Sequence, residues 1–327
     1  LATTAWTDQR LEEIARRAAE WGYSGIELAC WGDHFAIQRA LAEADYGQAV
    51  LEILEKNELK WHGLNVVPTG QCVGDGPDNA LRRSVPDYVW DNGEVTGLAA
   101  RALAELGAVI QVAQKLGQTT VVTATGSDMT RGQLGWPPPA RAWVEAGFRR
   151  FAETWGIVFD AAANAGVRLA LVVAPGQMAF DLPSAEHLLR AIDGRPEVMF
   201  AINPGRLHWQ GVDPAELVRA FPDRIGAVHL SDAAVTLTGR NGIFGGYLPG
   251  HDHRRGWAPR TAGFGGVDWP TFFRALNDVG YDGPLTVVIE DPGMDRDHAA
   301  QEAAAFARRM DFEPARSAGS DAFSSLD

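Results

Sequence analysis

Short apolar runs rich in branched residues alternate along the chain with longer segments of helical periodicity, a pattern that predicts repeated β-α units and a parallel sheet. Strands are expected at Gly25–Ala29, Lys60–Val66, Thr119–Thr125, Arg168–Ala174, Val198–Asn203, Ile225–Leu230 and Pro284–Glu290, with a short one near Ala2–Trp6 making eight. Helical patterns lie between and after them: Leu11–Trp21, Tyr46–Glu58, Val95–Leu116, Arg141–Ala165, Ser184–Ile192, Pro214–Ala220, Trp269–Val279 and Arg296–Met310. Several end at a glycine, as at Gly166 and Gly280, where a left-handed cap is free of the Cβ penalty. Eight strands each followed by a helix predict an α/β fold, a closed (β/α)8 TIM barrel, rather than an open doubly wound sheet. No strand runs into a glycine-rich dinucleotide turn or a Walker sequence. The barrel is expected to span residues 1–310 as one domain, with a structureless tail at 311–327.

Two long connections interrupt the rhythm, Pro68–Asn92 and Ser231–Val267. The second is rich in glycine, charge and aromatics and is a candidate lid on the C-terminal face, where this fold places its chemistry. Composition narrows the partners. With 29 basic against 42 acidic side chains the net charge is −13, which opposes binding to phosphate backbones or anionic membranes. No run is long and apolar enough to span a bilayer, and the first ten residues lack a leader pattern, so a cytoplasmic protein acting on a small molecule is expected, with self-association left open. Two cysteines, Cys30 and Cys72, make neither a disulfide framework nor a thiolate zinc site, and no cofactor is expected.

The strings GYSGIELACWGDHF (22–35), GQCVGD (70–75), HWQGVDP (208–214), VHLSDA (228–233), RRGW (254–257) and ALNDVGYDGPL (275–285) resemble the sugar phosphate isomerase/epimerase family, the xylose-isomerase-like TIM barrels. The resemblance runs from about Leu11 to Met310 and implies a barrel that commonly holds one divalent metal, with ligands Glu, Asp, His and Glu on strands five to eight. Here the motif departs from the family. The first Glu falls on Val172 and the following His on Ala174; the Asp falls on Asn203 and the His three residues later on Arg206. His229 is kept, the last Glu falls on Val288, and a His on strand three is replaced by Val67. A hard cation facing two isopropyl groups and a neutral amide would lack the charge that offsets its dehydration, so no metal is expected at that position.

The remaining polar groups near the strand ends define the candidate chemistry. His229 is the first choice for general acid or base, against a leftover histidine satisfied by a carbonyl. Arg206 suits a carboxylate, phosphate or enolate oxygen, against a salt bridge to Asp33, Asp232 or Glu290 that only fills the charge vacancy. Glu290, on the same strand face as Val288, is a base or an orienting partner of His229, and Asn203 completes the catalytic candidates. Substrate contacts are expected from Glu27, Trp31, His34, Gln71, Asp232, Trp209 and Trp257, and from His253 or Arg260 if the long loop closes; Asp232 and His229 also suggest an orienting pair. The expected activity is metal-independent acid–base chemistry (isomerisation, epimerisation, elimination or cyclisation) on a polyhydroxylated or polycyclic small molecule, with biosynthesis of a specialised metabolite as its setting. The alternatives are a non-catalytic barrel that binds a ligand or partner subunit, and a metal-dependent sugar isomerase with a rearranged site.

Overall fold

A computed structural model describes residues 1–75, 81–91, 97–134, 136–244 and 247–312. Among them, seven strands form one parallel sheet: β1 Gly25–Ala29, β2 Lys60–Asn65, β3 Thr120–Thr123, β4 Arg168–Val172, β5 Val198–Ile202, β6 Ile225–Leu230 and, last in the chain, β9 Leu285–Val287. They pair in chain order from β1 through β6 to β9. Two further strands, β7 Asp232–Val235 and β8 Trp257–Arg260, form a separate antiparallel hairpin inside the long Ser231–Val267 connection. Helices pack between and after the strands, and Arg141–Ala165, Pro214–Ala220 and Arg296–Met310 have the bounds that periodicity predicts. Arg141–Ala165 stops at Gly166, whose φ of 68° is the left-handed cap expected of glycine there.

The expected eighth strand is reduced to a single bridge. Ala2 N donates to Val287 O at 2.9 Å and Glu27 N donates to Leu1 O at 2.9 Å, so two residues span the gap between β9 and β1. Thr3–Trp6 then coils into a 3-10 turn instead of continuing. Its side chains explain the departure: the Thr3 hydroxyl meets Ala29 N at 3.0 Å and His34 Nδ1 at 2.8 Å, and Trp6 Nε1 donates to Asp297 at 2.7 Å. The fold is thus TIM-barrel-like, with a mostly closed seven-stranded sheet.

Strands buried on both faces explain the apolar runs. Residues such as Ile26, Leu28, Ile202 and Val228 join the large core between sheet and helices. The opposite face forms a smaller cluster of short side chains, Val122, Ala170, Val172, Ala174, Ala201 and Ala227, with Val67 packed on it. Pro68–Asn92, expected as loop, contains helices Val67–Gly74 and Asp87–Trp90, while residues 76–80 and 92 lie outside the described residues. Of the expected tail, only Asp311 and Phe312 are described. Both cysteines are free and buried, and no helix among the described residues is long and apolar enough to cross a membrane.

Candidate active site

The site grows from the ends of β5, β6 and β9. At the end of β5, Asn203 is the N-cap of a short helix, Pro204–His208, with Pro204 at its first position. The Asn203 Oδ1 accepts from Arg206 N at 3.1 Å and from Ser231 Oγ at 2.7 Å, which fixes the turn that delivers Arg206 and Trp209. A Cβ on Gly205 would lie 2.6 Å from the Asp232 backbone, so only glycine lets this helix rest on β7. Past β9, Glu290 forms an ion pair with Arg206, both side chains part-exposed at 33% and 44%. The Trp209 indole stacks on Trp257 from the hairpin, with centroids 4.4 Å apart and planes 1° from parallel. Together with Ala174, Pro175, Ser231, Asp232, Ala233 and Pro259 these residues wall a cavity of about 270 Å³.

Beneath this mouth lies a second pair. His229 Nε2 and Glu27 Oε2 are 2.9 Å apart, and Asn65 Nδ2 donates to the other Glu27 oxygen at 2.8 Å. Glu27 and His229 are 2% and 5% exposed, so this pair, unlike Arg206–Glu290, is dry. Burial pushes the Glu27 carboxyl up, but the His229 charge and the hydrogen bonds from His229 and Asn65 outweigh it and hold the group below the ordinary carboxylate value. The β6–β9 register sets His229 beside Thr286, and alternation puts His229 and Ser231 on one face.

The structure therefore gathers Arg206, Glu290, Trp209, Trp257 and Asp232 around one cavity and distributes the other candidates elsewhere. His229 faces Glu27, not Asp232 or Glu290, which corrects both expected pairings of His229 and the expected role of Glu27 as a contact at the mouth. The Asp232 carboxylate is 1% exposed and accepts from Ala233 N, Gly263 N, Val267 N and Trp269 Nε1, which anchors the hairpin. His34 is buried against Thr3, where burial lowers its imidazole pKa. Gln71 hydrogen-bonds Asp75 and accepts from Gln177 Nε2 at 2.7 Å. Trp31 is 9% exposed and does not line the cavity; His253 is exposed on the loop, and Arg260 lies 3.7 Å from Asp291. Ser231 and Pro175 were not anticipated, although Ser231 follows His229 by two residues on the same strand face. Gln177 was also missed: its Oε1 accepts from Thr125 N and Gly126 N at 2.9 and 3.0 Å, tying the loops after β3 and β4 together.

The donor set does not fit a divalent cation. Val172 and Val288 offer no lone pair, the Asn203 oxygen already accepts two hydrogen bonds, and His229 Nε2 is engaged by Glu27. Among the described residues no group of three or more His, Cys, Asp or Glu side chains is placed to hold a metal.

Comparison with known proteins agrees with the architecture. Residues 15–310 match the xylose isomerase-like TIM barrel family, and the chain belongs to it. The chain is 24% identical to YfiH, an uncharacterized protein of Bacillus subtilis (strain 168), over 297 residues that cover 86% of this chain and 88% of that protein. It is similar in fold to the 3-keto-D-glucoside 4-epimerase YcjR of E. coli, with a TM-score of 0.63, 14% identity and coverage of 94% of this chain and 97% of that one. It is likewise similar to AsbF, the probable 3-DHS dehydratase of petrobactin synthesis in Bacillus anthracis, with a TM-score of 0.64, 15% identity and coverage of 94% and 97%. An epimerase and a dehydratase on one fold show that the fold does not decide the reaction.

Proposed function

We propose that this protein is a metal-independent acid–base enzyme of isomerase, epimerase or lyase type that acts on a small polyhydroxylated molecule at the barrel mouth. The observation that carries this reading is the Arg206–Glu290 ion pair in the wall of a cavity backed by the Trp209–Trp257 stack. A carboxylate beside a guanidinium supplies the two functions that proton transfer next to a carbonyl needs. Glu290 takes the proton as the C–H bond breaks, and the electron pair moves onto the carbonyl oxygen, where the Arg206 N–H groups stabilise the developing charge. The indole faces suit the C–H surface of a sugar ring. Delivery of a proton to the opposite face of the same carbon, delivery to its neighbour, or expulsion of a β-leaving group would give epimerase, isomerase or lyase chemistry respectively. The 4-epimerase of a 3-keto-glucoside, with which the chain shares its fold, acts by its name at a carbon adjacent to a ketone.

The test is to incubate the protein with a panel of ketoses, keto-glycosides and sugar acids in D2O and follow carbon-bound deuterium by NMR. Incorporation is expected for at least one compound, and Glu290→Gln should slow it about 100-fold, the lower range of general-base contributions. A panel inert with the wild-type protein, in which a compound nonetheless raises the melting temperature, would overturn the catalytic reading in favour of a binding barrel.

A further inference from the structure

The mouth presents one open cationic fork. Among the described residues, the charged groups on the cavity wall are Arg206, Glu290 and Asp232. Asp232 is sealed by four N–H donors and Glu290 is joined to Arg206 through Nη2. Among the described residues the Nε and Nη1 groups of Arg206 carry no hydrogen bond, and the side chain is 44% exposed. The surroundings are basic for so acidic a chain. The Ser231–Val267 segment carries Arg240, Arg254, Arg255 and Arg260 against Asp232 and Asp252, a local excess of two positive charges in a protein whose net charge is −13. None of these four arginines lines the cavity, so the donors left to receive an anion at the mouth are those of Arg206.

From this we infer that the ligand of the mouth carries a carboxylate, held by the open donors of Arg206, so that the substrate class is a sugar acid or keto acid and not a neutral sugar. The inference rests on the proposed function only for placing the ligand in this cavity. A carboxylate fits better than a phosphate for two reasons. The backbone N–H groups that could cradle a phosphate are spent, Gly205 N on Ser231 O at 3.0 Å and Arg206 N on Asn203 Oδ1 at 3.1 Å. A single guanidinium already shared with Glu290 leaves an excess of one negative charge with a carboxylate and of two with a phosphate dianion, so the phosphate meets the greater repulsion. The fork geometry of guanidinium matches the two oxygens of a carboxylate.

The experiment is calorimetric titration and melting-temperature measurement on the whole chain with D-glucuronate, D-galacturonate and 2-keto-D-gluconate, set against D-glucose, D-fructose and D-glucose 6-phosphate. At least one acid should bind and its neutral counterparts should not, with affinity falling several-fold as salt rises from about 50 to about 500 mM. Arg206→Gln should weaken that binding about 30-fold, as loss of a hydrogen bond to a charged group does. Arg206→Lys should recover part of it, since the charge returns without the fork. Arg190→Gln, an exposed arginine on helix Leu182–Ala191 that does not line the cavity, serves as the control for an unspecific charge effect and should bind as the wild type does. Equal binding of neutral sugars, tighter binding of the 6-phosphate, or acid binding unaffected by Arg206→Gln in a protein of unchanged melting temperature would each overturn the inference. Failure of the catalytic reading looks different: acids then bind through Arg206 while no deuterium enters any of them. Deuterium entering only neutral ketoses would sink the carboxylate and leave the catalytic reading standing.

Discussion

The barrel contains two pairs built on a carboxylate, one with a guanidinium and one with an imidazole, in opposite surroundings. Arg206–Glu290 sits part-exposed at the mouth, while His229–Glu27 lies in the interior with both members nearly inaccessible. Water screens the first pair, so either partner can be lent to a ligand at little cost. The second has no such freedom, because each member is the main compensation for the other's burial. Strand periodicity puts His229 and Glu290 on the inner face alike; depth along the strand separates an accessible group from a buried one.

The largest effect expected from this contrast is on stability. His229→Leu leaves the Glu27 carboxylate unpaired in the interior and should cost about 3–5 kcal/mol in urea denaturation, whereas Arg206→Met should cost about 1 kcal/mol or less. Comparable losses for the two variants would erase the distinction. A milder effect comes from acid. Glu27 titrates below its ordinary 4.5 in the folded state, so its contribution is complete above 4.5 and is lost as the pH falls through the folded value. The stability gap between wild type and Glu27→Gln should therefore narrow on acidification. Glu105 provides the opposite sign: burial raises its pKa above 4.5 against the hydrogen bonds from Tyr88 and Gln38, so its contribution is complete below 4.5 and is lost as the pH rises through the folded value. Melting curves of Glu105→Gln should approach and then gain on wild type as the pH increases, and parallel curves for the two variants would refute both assignments. The smallest effect is at the aromatic wall, where Trp257→Phe should cost about 0.5–1.5 kcal/mol through the lost stack on Trp209, visible as a change in near-ultraviolet circular dichroism.

How far the chain could be read in advance follows the same division between local and distant causes. Gly25–Ala29 and Ile225–Leu230 are strands with the bounds their apolar runs suggest, because strands buried on both faces need no context to declare themselves. Helix Val67–Gly74 was hidden by its own composition. Pro68 stands in its first turn, and Gly74 is there because a Cβ would lie 2.5 Å from the Gly126 backbone, a packing demand that reads locally as loop. The hairpin was hidden in the same way, since its glycines and charges outweigh the brief pairing of Asp232–Val235 with Trp257–Arg260. At the site, Arg206, Glu290, Trp209 and Trp257 were recognisable as residues, and Glu290 was one of the three partners considered for Arg206. The alliance of Glu27 with His229 was not legible, because 202 positions separate them and only closure of the sheet brings them together. The four donors to Asp232 were not legible either, because an acid at a strand end looks available until the returning hairpin is seen.

Those four donors decide how the long connection can move. Asp232 ties the start of the hairpin to Gly263, Val267 and Trp269, so the segment is clamped where it leaves the barrel and where it returns. The span between β7 and β8 is therefore a detachable module: its length and sequence can drift, or be exchanged by design, while the scaffold that carries Arg206 and Glu290 keeps its shape.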